Sequence, residues 1–241
     1  MNTRSLLFAF ALVLIGMSSV FAQSADEVVD KYLAAIGGKD AWHNLHSIRM
    51  VGEVNANGTK IPMTLTVVHK KAMRQDMTVM GMSGINIVTA NGGWVYMPFA
   101  GQKEPEAQTP DAVKMQQDQL DIQGQLLDYK QKGETCEYIG KEDVDGTECY
   151  KLKLTKTNGT VSSLFIDPSN NYLIRTTTKA KVDGQDQEQT INFSNFEKVG
   201  NGLIFPMAIN MGMGDVKFTK IEINPTIDDK IFDKPVVDDK H

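Results

Sequence analysis

The chain has 241 residues, a formal net charge of −5 and charged residues of both signs at 23%. A mildly acidic balance with scattered lysines excludes a nucleic-acid partner, which would need a basic face. No segment beyond the N-terminal run is long and apolar enough to span a membrane as a helix.

In chain order, Arg4 comes first, followed by the apolar run from Leu6 to Ile15. Gly16, Ser18, Ser19 and the A-x-A-like Val20-Phe21-Ala22 follow it. That is the layout of a secretory signal, about half as long as a bilayer span requires. Cleavage is expected after Ala22, and no cysteine near the cut could carry a lipid. The mature chain is then a soluble periplasmic domain over 23–241. Its 219 residues (241 less the 22 removed) suit one large all-β domain, and its charge becomes −6 once Arg4 is lost.

Ser24, with Glu27 three residues on, reads as a capping box. It starts a helix to about Ile36 whose apolar face is Val28, Val29, Tyr32, Leu33 and Ile36. Gly37-Gly38 stops it, and a shorter helical turn is expected over Lys39–Leu45.

Strand signals follow. Asn57-Gly58, Asn91-Gly92, Asp145-Gly146, Asn158-Gly159, Asp183-Gly184 and Asn201-Gly202 each separate alternating runs. Such pairs suit type I′ hairpins, because Asn, Asp and Gly tolerate positive φ. Asn57 and Asn158 also begin glycosylation sequons, which are read here as turns alone. Ile61, Met63, Leu65 and Val67 alternate with polar neighbours, as do Tyr150, Leu152 and Leu154, and later Leu203, Phe205, Met207, Ile209 and Met211. The pattern predicts eleven or twelve antiparallel strands between Ser47 and Ile223. One interruption stands midway, from Pro110 to about Tyr129. Val113, Leu120 and Leu127 form one stripe there, with Met115, Ile122, Leu126 and Tyr129 roughly opposite. A break near Asp121–Gly124 predicts two short helices laid over something apolar.

Chemistry-bearing motifs are scarce. Asp40, His43 and His46 are spaced three apart, but a zinc site needs more ligands and an outer shell, so a solvated helix face is expected. No G-x-S-x-G, H-E-x-x-H or phosphate-binding glycine loop occurs. The expectation is a protein that is not an enzyme and holds no metal or cofactor. If Asp145-Gly146 is a two-residue turn, Glu142 faces Cys149 and Cys136 lies six residues further off. That register forbids a disulfide, although a longer loop would permit one. Methionine is the unusual component, with 13 in the chain. Met63, Met73 and Met77 share one parity, and Trp94 and Tyr96 are expected nearby. Flexible, polarisable methionine adapts to variable apolar shapes. An acyl-chain cavity and a core filled with methionine both remain open.

The run from Ile87 through Asn91-Gly92-Gly93-Trp94 to Pro98-Phe99 resembles the LolA/LolB-like lipoprotein carriers. So do Ala25–Lys39, Val144-Asp145-Gly146 before Tyr150, Phe193–Glu197 and Asn201–Pro206. These resemble in particular the outer membrane lipoprotein-sorting branch. The resemblance implies a mainly β fold, a half-open antiparallel β-barrel of about 11 strands with an N-terminal helix and short lid helices over an apolar cavity. It implies cavity residues Met63, Leu65, Met73, Met77, Ile87, Trp94, Tyr96, Phe205 and Met207, and lid residues Val113, Leu120 and Leu127. The carriers latch the lid with an arginine just before a proline. Here Lys70 stands at that place without the proline and Arg74 is close by, so these two are the latch candidates. The implied cargo is the acyl chains of lipoproteins or a related lipid. An inner-membrane lipoprotein-releasing transporter would be the donor and an outer-membrane protein the acceptor. The alternative is a structural or sensing module of the same fold with a filled cavity.

Overall fold

A computed structural model describes residues 24–182, 185–212 and 214–237, with the backbone alone at 180–182 and 185–187. The expected signal segment, the expected turn at Asp183-Gly184, Met213 and residues 238–241 lie outside the described residues.

Helix α1 spans Ala25–Ala35, and Ser24 caps it by accepting the Glu27 N–H at 3.1 Å. Val28, Val29 and Leu33 are buried along the face that the pattern predicts. Helix α2 is Lys39–His43, and its Trp42 is buried. The Trp42 indole donates to the Ile36 carbonyl at 3.1 Å and its ring lies 5.0 Å from that of Phe205. Gly37 permits this docking: at φ 120, a Cβ on it would stand 2.8 Å from the Gly202 carbonyl.

Among the described residues, thirteen strands form one antiparallel sheet, one or two more than the pattern predicts. They are β1 (Ser47–Ala56), β2 (Thr59–Val68), β3 (Ala72–Val79), β4 (Met82–Thr89), β5 (Gly92–Tyr96), β6 (Glu106–Ala107) and β7 (Thr135–Val144). Then come β8 (Thr147–Thr155), β9 (Val161–Asp167), β10 (Tyr172–Val182), β11 (Gln185–Val199), β12 (Leu203–Asn210) and β13 (Asp215–Ile223). The order is β6-β5-β4-β3-β2-β1-β13-β12-β11-β10-β9-β8-β7, so the chain is two meanders joined where β1 pairs with β13. The two outermost strands, β6 and β7, are consecutive in sequence.

Residues 108–134 therefore run from one edge of the open sheet to the other. They hold helix α3 (Pro110–Gln116), capped by Thr109, and a 3₁₀ turn, Gln117–Leu120. The second short helix expected after Gly124 is not there; turns occupy that stretch. The connector shows how far the sheet curls. Leu120 accepts from the Lys70 N–H between β2 and β3, while Asp118 pairs with Lys156, just after β8, at 2.7 Å. Strands lie about 4.8 Å apart, so a flat sheet would put β3 and β8 far beyond the reach of one turn of chain.

Two of the Asx-Gly pairs, Asn57-Gly58 and Asp145-Gly146, place both residues at positive φ as I′ turns do. Asn91-Gly92 does not: Thr89 pairs with Gly92, which makes Ala90-Asn91 the turn. The β3–β4 turn, Met80-Gly81, adopts positive φ at both residues without an Asx signal.

Apolar side chains divide between two faces. The inner face carries the main core, in which Leu33, Leu45, Ile48, Val67, Met73, Val88, Leu152 and Leu164 pack with Leu120, Leu126 and Leu127 of the connector. On the outer face, Ala72 and Ile87 pack under Phe232 of the C-terminal segment, with Trp94 and Ile231 beside them. Val144, Cys149 and Phe165 form a second outer cluster. Glu142 pairs with Cys149, the register expected from a two-residue turn, while a bulge between Tyr138 and Gly140 shifts Cys136 by one residue onto Leu154. Cys136 packs against the inner core and Cys149 within the outer cluster, so both thiols are free.

Candidate functional site

Strands β1, β2, β3, β12 and β13 build an apolar trough on the inner face. Register lines up Val54 with Ile61 and Val216, Ile209 with Val216, and Met63 with Met77. Met63, Val216 and Phe218 are buried and form the floor. Met50, Val54, Ile61, Leu65, Met77, Met207 and Ile209 are only half-buried, so a row of apolar side chains keeps a wet flank. The covering elements sit to either side: α3 packs on β4 and β5, the 3₁₀ turn on β3 and β4, and α1 on β7 and β10. Gly52 lies midway along the trough opposite Phe218, where β13 carries a bulge. A Cβ there would stand 2.2 Å from the Lys217 carbonyl, so glycine is what lets the two strands close in.

The structure divides the expected cavity residues. Met63, Leu65, Met73, Met77, Phe205 and Met207 face inward. Met73 is 1% exposed, and Phe205 lies beneath Trp42, so these two belong to packed core. Ile87, Trp94 and Tyr96 are a correction. Ile87 pairs with Trp94 and Ile85 with Tyr96, which puts all three on the outer face. The aromatic run after Gly93 suggested an inner wall, but strand parity and the C-terminal segment decide otherwise; Lys234 lies 5.3 Å over the Trp94 ring. Sequence reasoning missed Val54 and Ile61 as trough residues, although the β1–β2 alternation carried the signal.

Val113, Leu120 and Leu127 are all buried beneath the connector, at 7%, 3% and 1% exposed. Leu126 and Tyr129, placed on an opposite stripe by helical spacing, are buried with them because their stretch is not helical. Met115 is 67% exposed. Of the two latch candidates, Lys70 meets the connector through its backbone N–H, 2.8 Å from the Leu120 carbonyl. Arg74 belongs to the outer face, where it pairs with Asp76 and donates to the Ile231 carbonyl at 2.9 Å.

Polar tethers hold the connector at both ends. Gln108 donates to Asn86 at 2.7 Å and to the Ile87 carbonyl at 2.8 Å, and Gln116 closes the triangle. At the far end, Tyr129 donates to Asp26 at 2.5 Å and Lys130 pairs with the same carboxylate at 2.6 Å. These hydrogen bonds, Lys130's first, hold the Asp26 carboxyl below its usual range. His43 lies 2.6 Å from Asp128, not in a metal cluster, and no group of three His, Cys, Asp or Glu able to hold a metal occurs among the described residues. His69 Nδ1 is buried without a hydrogen bond, 3.7 Å from Asp121. Burial lowers its pKa and Asp121 opposes that shift, while Lys70, Lys132 and His46 add to it. Lys132 bonds Asp121 at 2.6 Å.

No protein-family model matches the chain, and no curated protein matches it. Solved structures do. A LolA superfamily protein from Nitrosomonas europaea superposes with a TM-score of 0.54 at 14% identity, covering 88% of this chain and 99% of that one. A DUF1329 family protein from Desulfovibrio piger gives 0.54 at 13% identity, over 87% of this chain and 97% of that one. A putative outer membrane lipoprotein-sorting protein domain from Vibrio parahaemolyticus gives 0.51 at 12%, over 86% and 95%. The open thirteen-stranded sheet with its crossing connector is therefore a LolA-like fold.

Proposed function

We propose that this protein is an exported carrier that shields acyl chains of lipoproteins, or of a related lipid, in the trough on the inner face. The observation that carries the reading is the half-buried row Val54, Ile61, Met77, Met207 and Ile209, apolar side chains that lie to one side of where the described helices pack on the sheet. Burying a chain there gains about 0.8 kcal/mol per methylene, so the roughly fourteen methylenes of a sixteen-carbon chain gain about 11 kcal/mol before costs. Methionine rotamers widen the trough and the connector swings away at Lys70 to admit and release cargo. Similarity to a lipoprotein-sorting domain supports the cargo class at the level of the fold. Export with cleavage after Ala22, a donor in the inner membrane and an acceptor in the outer membrane complete the reading. Native mass spectrometry of protein purified from its own exported fraction tests it. The expected result is co-purified lipid, and protein that is uniformly lipid-free counts against the carrier.

A second reading has its own observation. Met73, Val88, Leu120 and Leu127 are at most 3% exposed, so the trough is filled at the Lys70 end. A sensing module with no cargo would extend that filling along its whole length.

A further inference from the structure

We propose that methionines at one corner of the inner face form a thioether site for a soft monovalent metal ion, Cu(I) or Ag(I). Met63 and Met77 are direct cross-strand partners, and Met77 faces Gly84 on the next strand. The point where a Cβ on Gly84 would stand is 2.9 Å from Met97 Sδ and 3.1 Å from Met77 Cγ. Thus glycine leaves the space beside its own Cα to the Met97 and Met77 side chains. Met82, two residues before Gly84 and on the same face by strand parity, is 38% exposed. Met63 is 7% exposed. The group thus reaches from solvent to the floor of the trough, which gives an ion a way in. Met97 is held in place from its own loop, because its N–H donates to Gln102 Oε1 at 2.6 Å. The Phe99 ring edge, 2.5 Å from the same point above Gly84, closes one side.

Leucine would line an apolar corner equally well. What methionine adds is a polarisable sulfur, and thioethers select Cu(I) over hard cations such as Mg²⁺ or Ca²⁺. The rival soft ligands lie elsewhere. Cys149 is in an outer cluster and Cys136 packs against the inner core, and burial pushes both thiols up to about 11. A thioether has no proton to lose, so binding at this corner is independent of pH, whereas a thiolate or imidazole site weakens on acidification. The inference stands apart from the cargo reading and survives a lipid-free protein.

The test is Ag(I), as silver nitrate in chloride-free buffer, titrated into the full mature chain labelled with ¹³C at the methionine methyls. The titration is run at about pH 5.5 and about pH 7.5. Expected are shifts of the Met63, Met77 and Met97 methyls that saturate together near one equivalent at both pH values, with Met115 and Met211 unmoved. Met77→Leu and Met97→Leu, near-isosteric, should each weaken binding by more than about tenfold with an unchanged thermal melt. Should a leucine variant fail to fold, the methyl shifts of the wild-type chain decide alone. Unmoved corner methyls, equal shifts of all exposed methionines, or affinity that rises steeply with pH would each overturn the site.

Discussion

At the scale of single residues, the close approach of β1 to β13 rests on Gly52. Adding one carbon there forces the β1 and β13 backbones apart, since the nearest atoms are the Lys217 carbonyl oxygen and, at 2.9 Å, the Phe218 Cα. Gly52→Ala should therefore lose stability at the upper end of overpacking costs, about 3 kcal/mol. A urea midpoint unchanged from wild type would contradict this. The cysteines offer a second test. Their register was legible in the sequence, because a two-residue Asp145-Gly146 turn fixes every pair of the β7–β8 hairpin except across its Gly140 bulge. Reductant should leave the melting temperature unchanged, and two thiols should react with a thiol reagent once the protein is unfolded. Less legible was which face a residue occupies beyond its own hairpin. Trp94 looked inward because aromatic residues usually seek a core, and it has one, but on the outer face under a C-terminal segment whose docking no local pattern announces.

Among elements, the connector from Gln108 to Glu134 is the part that periodicity described least well. Thr109-Pro110 at its start is a cap and first-turn pair that sequence reading handles easily. Beyond Asp121 the burial of Ile122, Leu126, Leu127 and Tyr129 is set by contacts with α1, α2 and the sheet, not by a repeat of the chain's own. Leu127 is 1% exposed, so Leu127→Ala should cost about 2–5 kcal/mol in a denaturant melt. A loss under about 1 kcal/mol would mean that the connector rests on the sheet without packing into it. The same element should respond to acid. His69 favours its neutral form in the folded state, because burial outweighs the pull of Asp121. A histidine pKa lowered by folding gives stability that is present above the unfolded value of about 6.5 and is lost as pH falls below it. Hydrogen exchange over residues 117–130, corrected for intrinsic rates, should accordingly show weaker protection at about pH 5.5 than at about pH 7.5. His69→Gln should flatten that difference, and an undiminished pH effect in the variant would exclude His69 as its source.

Across the whole molecule, two meanders meet at the β1–β13 pair and one connector ties the outer edges, so curl and coverage come from a single chain path. The turn signals and alternation foretold the meanders; the β1–β13 pairing, which joins residues some 170 positions apart, leaves no local trace. Under the proposed carrier function, the half-buried row on the inner face takes an acyl chain. The most direct measurement is titration of a fluorescent fatty acid into the delipidated mature protein and into Met77→Glu and Ile209→Glu, with a denaturant melt of each. A carrier of acyl chains shows saturable one-to-one binding by the wild type, lost in both variants while the domain stays folded. Absence of any binding by the wild type, with Met77→Ala costing the full packed-core amount of about 2–5 kcal/mol, would contradict it.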